Sequence, residues 1–255
     1  MSKYTIGIDL GGTTMTAGIV NENYEIVGKL TWATRLPRPA EDLEKALADL
    51  CRTVAQDNKV DFADIKYVGI GTPGSVNFTT GFVGFNTNFG YYDWNLGPDL
   101  EALLGCKVYV ENDANAAAYG EYIAGGAKGY KDAVVITLGT GIGTALIYNG
   151  VLIPNTELGH IILSAKHLDA EKYASSAIRE NEELSYKKWA KRLTKYYGLM
   201  EKYFNPDLFT VGGGVSRQSE KFLPYVDIKT PIVPAKLRNQ AGIVGAAYYA
   251  STKQQ

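Results

Sequence analysis

Asn112-Asp113, followed by Ala114-Asn115-Ala116-Ala117-Ala118, is the stretch of this chain best suited to chemistry. Val108 and Val110 before it read as the end of a strand. Ala114 to Tyr122 reads as a helix, because alanine is the strongest helix former. Asp113 then falls where a strand stops and a helix starts, the place where open α/β sheets bind ligands. A carboxylate there can accept a proton from a bound hydroxyl. The plain alternative is structural: Asn112 or Asp113 only caps the helix.

Three glycine-rich turns bear on that choice. Asp9-Leu10-Gly11-Gly12-Thr13-Thr14 forms the tip of one expected hairpin and Gly139-Thr140-Gly141-Ile142-Gly143 the tip of another, while Gly212-Gly213-Gly214 follows a strand. Backbone N–H groups hold phosphate well, and glycine lets the backbone come close to it. Asp9 suits Mg²⁺, directly or through water. One such turn is usually no more than a hairpin. Three at strand ends, with a carboxylate at a fourth, point to phosphoryl transfer, which needs a held phosphate chain, an acceptor hydroxyl and a base. There is no Gly-x-x-x-x-Gly-Lys-Ser/Thr, so the chain is not a P-loop enzyme.

The elements that must position these residues repeat. Strands are expected at 4–10, 15–20 and 26–34, a helix at 40–57 on the spacing of Leu43, Leu47 and Leu50, and a strand at 67–71 before Gly71-Thr72-Pro73-Gly74. The aromatic, Asn-rich stretch 82–92 reads as irregular, and 96–104 as a helix. The pattern then restarts with strands at 133–138, 144–148 and 151–153. Helices follow at 168–180 and 185–204, a strand at 208–211, a short strand at 232–233 and a closing helix at 241–250. Hairpin, third strand, helix and strand thus occur twice. The expected organisation is two related α/β domains, 1–112 with about 242–255 and 113–241, with an active-site cleft between them.

Composition bounds the class. The 255 residues are 45% hydrophobic and 21% charged, ordinary for a globular protein, and the net charge of −1 offers no field for nucleic acid or membrane. No apolar run is long enough to cross a bilayer. Two cysteines, Cys51 and Cys106, are too few for a disulfide framework or a cysteine-rich zinc site. The start of the chain does not read as a signal peptide, so a reduced, cytoplasmic setting is expected.

Taken together, Asp9-Leu-Gly11-Gly12-Thr13, Glu111-Asn112-Asp113-Ala-Asn115, Leu138-Gly139-Thr140-Gly141-Ile-Gly143, Glu157-Leu-Gly159-His160 and Gly212-Gly213-Gly214-Val resemble the ROK sugar kinases of the hexokinase/actin-like superfamily. The resemblance runs from Tyr4 to about Tyr249 and implies two RNase H-like domains. It implies that Asp113 is the base that deprotonates a sugar 6-hydroxyl. Asn112 and Asp113, with Asn88 of Asn86-Thr87-Asn88-Phe89, would bind sugar hydroxyls, and Glu157 and His160 those near the anomeric end. The Gly74 loop would close over the sugar. Asp9, Gly11, Gly12, Thr13, Thr14, Gly139, Thr140, Gly141, Gly213 and Gly214 would hold the donor, with Mg²⁺ as cofactor. Taken alone, Glu157 also reads as a cap and His160 as an ordinary surface histidine.

Many ROK kinases carry a cysteine cluster after the Glu-x-Gly-His that binds zinc together with that histidine. Residues 161–169 hold no cysteine, so no structural zinc is expected. From Thr137 on, with Asp169-Ala-Glu171-Lys172 and Leu237-Arg238-Asn239-Gln-Ala-Gly242, the chain closely resembles the polyphosphate glucokinases of this family. The first half is closer to ROK glucokinases in general. The resemblance implies a homodimeric glucokinase that uses inorganic polyphosphate, ATP, or both. An ATP-dependent ROK hexose kinase is the alternative. A sugar-responsive repressor would need a DNA-binding module ahead of the first strand. Within 185–204, Lys187, Lys188, Lys191, Arg192 and Lys195 face away from the apolar side and read either as a solvated face or as a track for a polyanion.

Overall fold

The computed structural model describes residues 4–86, 88–154, 156–164 and 168–253. Thr87 and Asn155 of the motifs above lie outside these, as do 165–167 within the cysteine-free stretch. The chain divides into two compact units: the residues up to Ala124 with those from Asn239 on, and Gly125–Arg238.

The first unit opens with β1 (Tyr4–Leu10), β2 (Thr14–Asn21) and β3 (Ile26–Ala33), and α1 follows (Ala40–Asp57). Helix α1 buries Leu43, Leu47, Leu50, Cys51 and Val54 along one face, while Glu41 and Asp42 sit in its first turn, where the helix dipole favours acids. Then come β4 (Ile65–Thr72), β5 (Ser75–Asn77), β6 (Phe82–Asn86), β7 (Tyr91–Trp94), α2 (Leu96–Leu104), β8 (Lys107–Asn112) and α3 (Asp113–Ala124). The main sheet has the order β3-β2-β1-β4-β8, and β5-β6-β7 form a small sheet of their own. Strands β1, β2 and β3 are antiparallel neighbours, whereas β1, β4 and β8 run parallel.

The second unit repeats the scheme. It contains β9 (Ala133–Leu138), β10 (Ile142–Tyr148), β11 (Val151–Ile153), α4 (Glu171–Ala174), α5 (Ser176–Asn181), α6 (Tyr186–Phe204), β12 (Leu208–Gly212) and β13 (Ile232–Pro234). Its sheet order, β11-β10-β9-β12-β13, has the same sequence of two antiparallel and two parallel pairings. Trp189, Leu193, Tyr196, Tyr197 and Met200 of α6 are fully buried against this sheet, on the face that the sequence spacing marks as apolar.

The remaining helix, α7 (Ala241–Thr252), belongs to the first unit. It is apolar nearly all round, and it packs backbone to backbone. A Cβ added to Gly7 of β1 would fall 1.9 Å from the carbonyl oxygen of Ile243, and one on Gly69 of β4 would fall 1.9 Å from that of Ala246. Helix α3 approaches as closely: a Cβ on Gly245 would lie 1.6 Å from Ala116 O, and one on Gly120 2.1 Å from Ala241 O.

Three sequence expectations are corrected. The first unit ends after α3 rather than before it, because α3 is locked against α7 by these glycine contacts. The stretch 82–92 is not irregular. It forms β6 and the start of β7, with the Phe85 and Tyr92 rings paired at 4.9 Å across the strands and Asn86 Oδ1 accepting the N–H groups of Asn88 (3.1 Å) and Phe89 (3.3 Å) at the turn. The helix expected at 168–180 is broken in two. Asp169 Oδ1 accepts the Glu171 N–H to start α4, and Ser175, in extended conformation, caps α5. The glycines after β12 lead into a 3-10 turn, Gly214–Lys221, broken at Gln218.

The packing separates two kinds of helical glycine. Gly245→Ala is expected to cost about 3 kcal/mol or more, since its Cβ has no room and the obstruction is backbone. Gly198→Ala in α6, where nothing lies within 4 Å of the added carbon, is expected to stabilise by about 1 kcal/mol. Urea denaturation of both variants checks the difference in sign.

Candidate active site

In the first unit, the parallel register decides which residues meet. Asp9 of β1 lies opposite Gly71 of β4, Gly71 opposite Glu111 of β8, and Thr72 opposite Asn112. Asp9, the Pro73-Gly74 loop and Asn112-Asp113 therefore emerge at one edge, the carboxyl ends of the parallel strands. Gly71 carries no side chain there, and its missing Cβ would lie 3.5 Å from the Cα of Asp113.

The structural alternative for Asp113 is largely taken over by its neighbour. Asn112 Oδ1 accepts the N–H groups of Ala114 (3.0 Å) and Asn115 (3.3 Å), while Asp113 Oδ1 meets only that of Ala114 (2.9 Å). Asn112 thus caps α3, and Asp113 is its first residue. Burial raises the Asp113 carboxyl above its ordinary range, opposed by the Ala114 N–H. Burial, and then the nearby Asp113, push Asp9 up to about 6. A buried carboxyl whose ionisation is made costlier by a second carboxyl is a place for a proton or a cation. The Asp9 carboxylate fits Mg²⁺, which takes one or two carboxylates and completes its shell with water and phosphate oxygens. Among the described residues, no three of His, Cys, Asp and Glu gather into a denser metal-binding group.

The rest of this edge is held by Asn86, which the sequence reading passed over. Asn86 is fully buried, and its Nδ2 donates to Pro73 O at 2.6 Å while its Oδ1 holds the Asn88-Phe89 turn. It therefore fixes the Gly74 loop and Asn88 together. Gly74 has φ +108°, and a Cβ on it would lie 2.3 Å from Phe85 O, so only glycine fits; its own carbonyl accepts from Asn112 Nδ2 at 3.4 Å. The Gly11–Thr14 tip is anchored by buried Thr34, whose hydroxyl donates to Gly11 O at 2.7 Å. Gly12 lies beside Asn88, and Thr13 and Thr14 are exposed.

In the second unit the register of β9 and β12 sets Gly212 opposite Thr137, and a Cβ on Gly213 would lie 2.3 Å from Leu138 O. The turn after β9 and the turn after β12 are therefore adjacent. Gly139, Thr140 and Gly214 line a pocket of about 370 Å³ together with Ser176, Arg179 and Gln218. Arg179 brings a cation to its wall and stacks on the Tyr186 ring at 4.6 Å. Gly141 stands at the far side of the same turn. Its missing Cβ would fall 2.2 Å from Glu171 Oε2, which accepts the Ile142 N–H at 3.0 Å.

Glu157 and His160 bracket a short 3-10 turn beyond β11, and both are exposed. Glu157 makes no side-chain cap, which removes its structural reading. His160 is a surface histidine with one nitrogen engaged, since Nδ1 lies 3.0 Å from Asp169 Oδ2. That bond, first, raises the imidazole pKa. Asp169 and Glu171 had no role assigned from sequence, although both stand in the Asp169-Ala-Glu171-Lys172 stretch. Of the basic face of α6, Arg192 is committed elsewhere: it donates to Tyr173 O at 3.0 Å and pairs with Glu182. Lys187, Lys188, Lys191 and Lys195 are exposed.

The model of the ROK family matches residues 5–172. A protein from Mycobacterium tuberculosis named polyphosphate glucokinase is 38% identical over 96% of this chain and 90% of its own. The crystal structure of an inorganic polyphosphate/ATP-glucomannokinase from Arthrobacter sp. strain KM is 37% identical, with a TM-score of 0.80 over 98% of this chain and 99% of that one. A ROK family glucokinase from Streptomyces griseus, solved with glucose and AMPPNP, is 28% identical, with a TM-score of 0.78 over the same shares. The α/β fold is thus that of ROK hexokinase-type structures.

The Asp9–Asp113 pair generates a pH prediction. A carboxyl whose pKa is higher in the folded chain favours folding while protonated. That contribution is whole below the ordinary value of 3.8 and is lost as the pH rises to about 6. Asp9→Asn keeps the shape without the charge, so it is expected to be more stable than the wild type above pH 6, by roughly 3 kcal/mol. The gap is expected to close as the pH falls below about 4. Urea midpoints from pH 3.5 to 8 without added metal check this. Equal midpoints at pH 7 would remove the electrostatic conflict.

Proposed function

The chain belongs to the ROK family, and on that premise we propose that it is a glucokinase that transfers a phosphoryl group from inorganic polyphosphate, with ATP as a second donor, to the 6-hydroxyl of glucose. The observation that carries the proposal is Asp113, a carboxyl raised by burial at a strand end, where Asn112 supplies most of the capping of the helix. Such a group can take the proton of a bound hydroxyl at neutral pH. The names of the Mycobacterium and Arthrobacter relatives support polyphosphate as the donor.

In this reading Asn88, Asn112, Glu157 and His160 hold the sugar hydroxyls, so that the 6-hydroxyl lies beside Asp113. Asp113 takes its proton, and the oxygen attacks the terminal phosphorus of the donor. The bond to the bridging oxygen breaks, and the donor leaves one phosphate shorter. Gly11, Gly12, Thr13, Thr14, Gly139, Thr140, Gly141, Gly213 and Gly214 offer N–H and hydroxyl donors to the phosphate oxygens. Mg²⁺ bound at Asp9, directly or through water, would neutralise charge on those oxygens. The reading needs acceptor groups of the first unit and donor turns of the second to act on one substrate pair, as in a two-domain kinase with a cleft. A homodimer in the cytoplasm goes with it; no helix among the described residues is long and apolar enough to cross a membrane. The AMPPNP-bound Streptomyces relative favours a second reading, an ATP-dependent ROK hexose kinase.

Two expected outcomes test these assignments. Asp113→Asn should lose about 10²–10⁴-fold in turnover while calorimetry still detects glucose binding. A variant that keeps more than about a tenth of wild-type turnover would remove Asp113 as the base. For the donor, rates with glucose are compared between ATP and long-chain polyphosphate. Replacing the exposed Lys188, Lys191 and Lys195 with Gln should raise KM for long polyphosphate and leave KM for glucose unchanged. Equal effects on both donors would mark the α6 lysines as a solvated face.

A further inference from the structure

Residues 169–171 make more contacts than the capping of a one-turn helix requires. Asp169 uses both carboxylate oxygens. Oδ1 accepts the backbone N–H groups of Glu171 at 2.9 Å and Lys172 at 3.4 Å, which is the capping function. Oδ2 is spent on His160 Nδ1, nine residues earlier, at 3.0 Å. An ionised carboxylate only accepts, so Nδ1 carries the proton of that bond. In the neutral ring Nε2 is then an acceptor, the form that suits a donating hydroxyl.

Glu171 reaches the other way. Its Oε2 accepts the Ile142 N–H at 3.0 Å and lies where Gly141 would carry a Cβ, so the donor turn is shaped around this carboxylate. The carbonyl of Ile142 is in contact in its turn. A Cβ on Gly159, the residue before His160, would fall 1.9 Å from Ile142 O. Thr144 Oγ1 adds a second tie between the same strand and the same loop, donating to Thr156 O at 2.8 Å and accepting the Leu158 N–H at 3.1 Å. The contacts close a ring: His160 to Asp169, Asp169 to Glu171, Glu171 to Ile142, Ile142 to Gly159, and back to His160.

We infer that Asp169 and Glu171 are positioning residues that bind the imidazole of His160 and the donor turn at Ile142 into one rigid unit, Asp169 by setting which nitrogen of His160 faces the sugar and Glu171 by holding the turn. The inference rests on the sugar kinase reading above. The physical reason for such a device is that phosphoryl transfer gains most of its rate from alignment, and a shared brace sets acceptor and donor contacts relative to each other. Neither residue needs to touch a reacting atom.

The test reads the imidazole directly. The chain has two histidines, so ¹⁵N-labelled protein and the His167→Gln variant assign the ring signals of His160 in long-range ¹H–¹⁵N spectra. The wild type should show the Nδ1–H tautomer at about pH 8. Asp169→Asn should lose that preference and titrate at lower pH, because the bond to Asp169 is the largest of the causes that raise the imidazole pKa, ahead of the charges of Glu171 and Glu157. KM for glucose should rise about tenfold, the worth of one charge-assisted hydrogen bond, with kcat at saturating glucose within about threefold. Asp169→Glu should restore part of both. Glu171→Ala should leave the tautomer alone, raise KM for the donor, and weaken glucose binding in the absence of donor through Ile142 and Gly159.

Unchanged tautomer and glucose KM in a folded Asp169→Asn variant would overturn the role of Asp169. Unchanged donor KM in Glu171→Ala would overturn that of Glu171. His160→Gln separates the two levels of argument. If it leaves glucose KM unaltered, while Asp169→Asn in the chain that keeps His160 still changes the tautomer, the sugar-binding role of His160 fails and the local geometry stands.

Discussion

The first unit depends on the seating of α7 directly on backbone. Four glycines, Gly7, Gly69, Gly120 and Gly245, sit where a single methyl group would collide with a carbonyl, so helix, sheet and α3 approach closer than side chains allow. This approach brings the end of the chain back against its beginning. It also places the chemistry. A Cβ on Gly242 would lie 3.1 Å from the carboxyl carbon of Asp9, and Ala116, one turn beyond Asp113, abuts both Gly71 and Gly245. The two acids are thus held in register with backbone rather than with adaptable side chains, which suits groups that must be placed to a fraction of an ångström.

That placement works against stability. Asp9 and Asp113 are brought together in a partly dry edge where burial favours the protonated form of both, and the charge of Asp113 adds to the cost at Asp9. A structure selected for folding alone would put a cation or an apolar group there. Conflict of this kind is common at functional sites, where surrounding structure overrides a local cost. The second unit is arranged differently. Its carboxylates, Asp169 and Glu171, are spent on N–H groups and an imidazole, so they order loops rather than wait for a ligand. Exposed Glu157 and the ring of His160 are what that order presents.

Much of this was legible in the chain itself, and the reasons are local. The twofold recurrence of hairpin, third strand, helix and strand could be read because apolar period and glycine position are properties of short windows. The position of Asp113 at a strand-to-helix junction could be read because alanine runs and caps are local signals. The glycines of the three strand-end turns stood out by type alone. Where periodicity is weak the reading failed: β6 and β7 expose aromatic rings on a small sheet, so no apolar alternation marks them, and the helix expected at 168–180 is interrupted by side chains that bond to backbone.

What only the tertiary structure decided is which of these residues answer to one another. The parallel register of β1, β4 and β8 brings Asp9, Gly74 and Asp113 to one edge, although more than a hundred residues separate the first from the last. No window of sequence contains that register. Asn86 became important by being buried between two loops, and Asp169 by facing His160 across a turn. Both are ordinary polar residues in the chain, and neither belongs to a pattern with a period. Sequence sets the types of groups and the local frames that carry them, because propensity acts within a few residues. The pKa of Asp9, the proton on His160 and the sharing of the α3 cap between Asn112 and Asp113 arise from neighbours distant in the chain or from competition within a single turn, and only the packed fold resolves them.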